Sequence, residues 1–68
     1  MKIQYYPETD SLYIDLADRP SVESREVAAG VVLDFDAEGI LVGIDIDHAR
    51  NHLDLSQIVL SQLPSKAA

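Results

Sequence analysis

The residues best placed to do chemistry in this 68-residue chain are Asp45, Asp47, His48 and His52. Imidazole nitrogen and carboxylate oxygen are ligands that zinc and nickel accept. His48 and His52 are four apart, so one helical turn would carry both rings on a single face, and Asp45 or Asp47 could add an oxygen. The competing reading needs no metal. Asp47 serves equally well as the N-cap of that turn, and His52 as a surface residue before Leu53. The competing reading is favoured, and a small metal-binding protein stands as the alternative function.

A second acidic run, Asp34-x-Asp36-x-Glu38-Gly39 with Asp45 beyond it, echoes a calcium loop. Hard cations want several oxygens and a Gly for the sharp turn. An EF-hand also needs flanking helices, and both flanks here alternate as strands, so the run reads as a hairpin turn. No serine sits in a G-x-S-x-G elbow, no Gly-rich phosphate loop is present, and there is no cysteine. No catalytic residue is named, no cofactor is expected, and the chain reads as a non-enzyme.

The elements that must position these groups follow a period of two. Ile3-Gln4-Tyr5 and Leu12-Tyr13-Ile14-Asp15-Leu16 alternate on either side of the turn segment Pro7-Glu8-Thr9-Asp10. Facing Tyr5 with Leu12 sets Ile3 against Ile14 and Lys2 against Asp15, so packing and charge agree on one register. Asp18-Arg19-Pro20-Ser21 is a loop. Val27, Ala29, Val31, Leu33 and Phe35 then share one parity, with Gly30 marking a bulge or bend. After the turn Asp36–Gly39, residues Ile40, Val42, Ile44 and Ile46 alternate again. Pairing Phe35 with Ile40 sets Leu33 against Val42, Val31 against Ile44 and Ala29 against Ile46.

Beyond Asp47 the alternation stops. His48–His52 reads as one helical turn. Asp54 followed by Gln57 suggests a capping box for a helix ended by Pro64, with Leu55, Ile58, Val59 and Leu63 on its inner face. A short strand through Ile58, Leu60 and Gln62 is the alternative for residues 55–63. Residues 65–68 read as a frayed tail after a single domain spanning 1–64.

Composition narrows the field further. The apolar share of 47% is that of a globular protein. A chain this short buries only about 60% of its unfolded surface, so stability is marginal without a disulfide or metal. A formal charge of −7 with scattered Lys and Arg residues disfavours nucleic acid as a partner and suits a basic protein instead. No stretch approaches the roughly 20 apolar residues of a membrane span, and the cytoplasm is the default compartment. Tyr6, Tyr13, Val32 and Leu41 fall on the outer face of the hairpins. They are the candidate interface, either for a homodimer or for another partner.

The segments YYPETDSLYIDL and SREVAAGVVLDFDAEGILVGIDIDHA resemble domain-of-unknown-function family 2283, a group of small bacterial proteins. The positions carrying the resemblance are Tyr6, Asp10, Leu12, Tyr13, Ile14, Glu26, Val27, Gly30, Val31, Asp34, Asp36, Gly39, Val42, Gly43, Ile44 and Asp45. Asp45 stands where the family commonly has Glu. The resemblance implies no established activity. Some similar proteins occur beside small toxins, which implies an antitoxin-like role for part of the family. The expected fold is α+β: an antiparallel sheet of four to five strands in two hairpins, with a short C-terminal helix on one face. The expected function is a non-enzymatic protein–protein interaction module.

Overall fold

The computed structural model describes residues 1–64; the tail expected at 65–68 lies outside them. Five strands form one antiparallel sheet, β1 (Lys2–Tyr6), β2 (Ser11–Asp15), β3 (Glu23–Ala28), β4 (Val31–Phe35) and β5 (Leu41–Ile46), ordered β1-β2-β5-β4-β3. A single helical turn, α1 (Ala49–His52), follows β5. The sheet is thus a hairpin (β1–β2) joined to a three-stranded meander (β3–β4–β5) along the β2–β5 pairing.

The first hairpin adopts the register that its alternation and its charges require. Tyr5 faces Leu12, Ile3 faces Ile14 and Lys2 faces Asp15. Asp10 ends the connecting turn at φ 54, a left-handed conformation that Asp tolerates better than most residues.

The β4–β5 hairpin departs from the expected register. Leu33 faces Ile44 rather than Val42, Val31 faces Ile46 rather than Ile44, and Phe35 faces Leu41 rather than Ile40. The cause is Asp36. Its N–H donates to the Ile40 carbonyl at 2.9 Å, and its Oδ1 accepts from the Glu38 and Ile40 amides, each at 2.9 Å. Asp36 therefore belongs to the ladder, and the loop shrinks to Ala37–Gly39. The surplus residue is absorbed between Leu41 and Gly43, where the register shifts and two residues oppose Phe35. Beyond this bulge the strands are slipped by two, which keeps Ile44 and Ile46 on the expected side. Leu41 moves from the outer face to that of Phe35.

A third hairpin replaces the single run of shared parity expected from Val27 to Phe35. Ala28 faces Val31 across a two-residue turn, and Gly30, at φ 76, takes the left-handed position. The register shifts again between Glu26 and Ala28. The Ala29–Ile46 pairing is therefore absent; the Gly30 carbonyl instead accepts from the Asp47 amide at 2.7 Å.

The C-terminal helix expected over residues 55–63 is not formed, and neither is the alternative strand. Asp54 does not cap a helix. Its Oδ1 accepts from Ser56 N at 3.0 Å and from Ser56 Oγ at 2.6 Å, closing a local turn that competes with helix initiation. These bonds hold the Asp54 carboxyl below its ordinary range. A nine-residue helix with adjacent β-branched Ile58 and Val59 has little stability alone, and Ile58, Val59, Leu60 and Leu63 are all exposed.

No second layer therefore covers the sheet among the described residues. The buried apolar residues are Leu12, Val42 and Ala49, and no large side chain is fully buried. The Cα radius of gyration is 13.3 Å, against about 11 Å for a compact chain of this length.

Candidate functional site

Cross-strand partners point to the same side of a sheet, so the observed register sorts the side chains into two faces. On one side lie Ile3 and Tyr5, Leu12 and Ile14, Ile44 and Ile46, and Val31, Leu33 and Phe35. Charge enters this apolar face at its edges, at β1 where Asp10 and Arg50 meet the Tyr5 hydroxyl and at β3. There Arg25 lies 4.4 Å from the centroid of the Phe35 ring and pairs with Glu23 at 3.3 Å. The opposite face carries Asp15, Asp34, Asp45 and Glu26, with Lys2 at its margin.

The acidic face is organised around Tyr13. It faces Asp45 directly, and its ring leans across Gly43 so that the hydroxyl donates to Asp34 Oδ2 at 2.8 Å. Ser24 Oγ donates to the other oxygen of Asp34 at 2.6 Å. A β-carbon on Gly43 would collide with the Tyr13 ring and hydroxyl, so the missing side chain is what lets the phenol reach Asp34. Burial first, then the bond to Asp34 and the charges of Asp34, Asp15 and Asp45, push the Tyr13 hydroxyl up to about 12. The Asp45 carboxyl is also raised, by burial and then by Asp47 and Asp34. The phenol therefore stays protonated and donates. It is a strut, not a base.

Asp10 plays the corresponding part at the end of the sheet. Tyr5 OH donates to its Oδ1 at 2.7 Å, and its backbone carbonyl accepts from the Ala49 amide at 2.9 Å. Arg50 Nε sits 3.6 Å from the same carboxylate and 3.3 Å from the Tyr5 hydroxyl. One turn residue thus ties the first hairpin to α1.

The residues that the sequence offered for chemistry are largely engaged in such structural bonds. Asp36 is spent on its own turn and on Arg19, 3.5 Å away. Asp34 points to the opposite side of the sheet from Phe35 and serves Tyr13 and Ser24, so the calcium-like spacing does not converge. Asp47 accepts from Ser11 Oγ at 3.2 Å. His48 precedes α1 in a left-handed conformation, φ 51 and ψ 47, with its side chain exposed. His48 and His52 are therefore not successive positions on one helical face. Glu26, Asp47, His48 and His52 border an open depression that does not include Asp45. No three His, Cys, Asp or Glu side chains among the described residues form a group able to hold a metal ion.

The four candidate interface residues divide. Tyr6, Tyr13 and Val32 lie on the acidic face, facing Ser11, Asp45 and Asp45 respectively, while Leu41 faces Phe35. Only Tyr6 among them is strongly exposed. The apolar face was expected to lie beneath the C-terminal helix, and it is left open because that helix does not form. No helix among the described residues is long and apolar enough to cross a membrane. No curated protein and no solved structure matches the chain. A family model does match, over residues 2–50, a span running from β1 into α1, and the chain belongs to that family, described as a protein of unknown function (DUF2283).

Proposed function

We propose that this chain is a non-enzymatic protein–protein interaction module, and that the apolar face of its sheet is the surface on which another protein chain docks. The observation that carries the reading is the uncovered face. Stable domains pair two layers around a core, whereas here nine apolar or aromatic side chains from β1, β2, β4 and β5 share one side with no helix or second sheet over them among the described residues. Among the candidate polar groups, Asp34, Asp36, Asp47 and Tyr13 are already bonded within the chain, which supports binding over catalysis.

The test is the behaviour of the isolated chain on dilution. A hydrophobic dye such as ANS should bind the dilute protein, and denaturant midpoints should fall when the docking partner is lost. Unfolding that is cooperative at every concentration, with no dye binding, would overturn the reading.

A second reading is favoured by the acidic face. Asp15, Asp34, Asp45 and Glu26 together present a negative surface suited to a basic protein, as in antitoxin-like neutralisation of a small toxin. Binding that weakens as salt rises is its expected signature.

A further inference from the structure

We infer that the occupant of the apolar face is a second copy of this chain, stacked face to face so that the two sheets form a sandwich with one shared core. The inference rests on the docking role proposed above and adds the identity of the partner.

Surface area gives the first argument. The chain exposes 5349 Å², whereas a folded monomer of its 7.5 kDa mass exposes about 4,200 Å². The surplus is about 1,100 Å². The exposed segment 56–64 contributes part of this surplus, and the total exceeds the roughly 800 Å² that a standard interface buries on each partner, so it leaves room for one stacked copy.

The second argument is where the charge lies. A net charge of −7 opposes self-association in general. The register places Asp15, Asp34, Asp45 and Glu26 on the side away from the apolar face. Stacked sheets are about 10 Å apart, so the two acidic faces of a sandwich point outward, separated by more than the roughly 8 Å screening length of physiological salt. Contact across the acidic faces would instead bring those carboxylates together. A basic partner gains little from the apolar face, where the charges at its edges are paired within the chain, Arg25 with Glu23 at 3.3 Å and Arg50 with Asp10 at 3.6 Å. The surface suits a neutral apolar counterpart, and the chain itself carries one.

Sedimentation equilibrium on the full chain at micromolar concentration tests this, with Ile44→Asp and Asp45→Lys as paired variants. These neighbours lie on opposite faces of β5. The expected result is a mass twice the 7.5 kDa of the chain, reduced to monomer by Ile44→Asp and retained by Asp45→Lys. Because Ile44→Asp could simply unfold, isotope-filtered NOEs in a mixture of labelled and unlabelled wild-type chains provide an independent reading. Contacts from Ile44 methyls of one copy to Leu33 or Ile14 of the other are expected. A wild-type monomer throughout the range overturns the inference. If that monomer still binds ANS, the docking reading survives with a different partner, and if it does not, both fall. A dimer that tolerates Ile44→Asp but not Asp45→Lys also overturns the inference. So does a monomer that gains ANS binding when truncated after Ser56, because its own C-terminal segment would then be the cover.

Discussion

The two faces of this sheet solve the problem of exposure in opposite ways. On the acidic face, polar groups find partners inside the chain: Tyr13 reaches Asp34 across Gly43, Ser24 completes the pair, and Ser11 meets Asp47. On the other, apolar side chains lie side by side in one layer, and of the nine only Leu12, at 7% exposure, is buried. Hydrogen bonds can be satisfied within one layer because they are short and directional. Apolar area can be removed from water only by a second surface. A single sheet can therefore be complete in its polar chemistry while incomplete in its packing.

Truncation on the apolar side should have the largest effect. Leu12→Ala is expected to cost roughly 2–5 kcal/mol, most or all of the stability of so small a domain, as read by urea denaturation. Leu33→Ala sharpens the comparison further. Its cost should grow with protein concentration if a partner layer covers the face, and stay constant if none does.

Gly43→Ala strikes the acidic face at its crossing point. The added methyl must displace the Tyr13 ring, with an expected loss of roughly 1–3 kcal/mol. Ultraviolet titration gives a second reading of the same variant. In the wild type one of the three tyrosines should ionise near pH 12, and in Gly43→Ala that step should return toward 10. The folded hydroxyl holds its proton more tightly than the unfolded one. Its stabilisation is therefore fully present below pH 10 and is lost as pH rises through about 12. A Tyr13 hydroxyl that ionises at its ordinary value of 10 in the wild type would sink the strut.

Asp45 reverses the usual carboxylate sign. Its acidity is weakened in the fold, so its charge destabilises the native state at neutral pH, and protonation relieves the strain as pH falls through the raised value. Asp45→Asn should raise stability at pH 7 by less than about 1 kcal/mol, an advantage that disappears in acid. The smallest effect is expected at the histidines. Millimolar zinc should leave the Tm of wild type and His48→Ala alike, and a zinc-dependent rise abolished by that substitution would restore a metal role.

The sequence made the two faces legible more readily than the lengths of the turns. In the first hairpin, apolar parity and the Lys2–Asp15 pair constrain the register independently, and both hold. In the β4–β5 hairpin parity was the only constraint, and a slip of two satisfies parity equally well. What settles it is the Asp36 carboxylate bonding two amides of its own turn, a preference that alternation does not encode. Gly30 was visible as an interruption, but a bend and a reversal differ only in what the following strand pairs with. The segment after Asp54 was misread for a related reason. Helical periodicity is present, yet the Asp54–Ser56 bonds close a turn where the helix would begin, a competition that periodicity does not encode.

The β2–β5 pairing is the line along which the molecule would come apart. To its left is one hairpin closed by a local turn, and to its right a meander closed by two; each can zip from its own reversal. Joining them brings Leu12 beside Ile46, a far longer loop to close than either turn. The seam is fastened across its width by the Tyr13–Asp34 bond and at its end by Asp10, whose carbonyl holds Ala49 and whose carboxylate accepts from the Arg50 amide at 3.3 Å. Amide exchange should therefore divide the sheet into two cooperative blocks. Protons of the Leu16–Val42 and Leu12–Ile46 rungs would escape before those inside either block, and Asp10→Ala would hasten them while leaving the turn of β4–β5 unchanged.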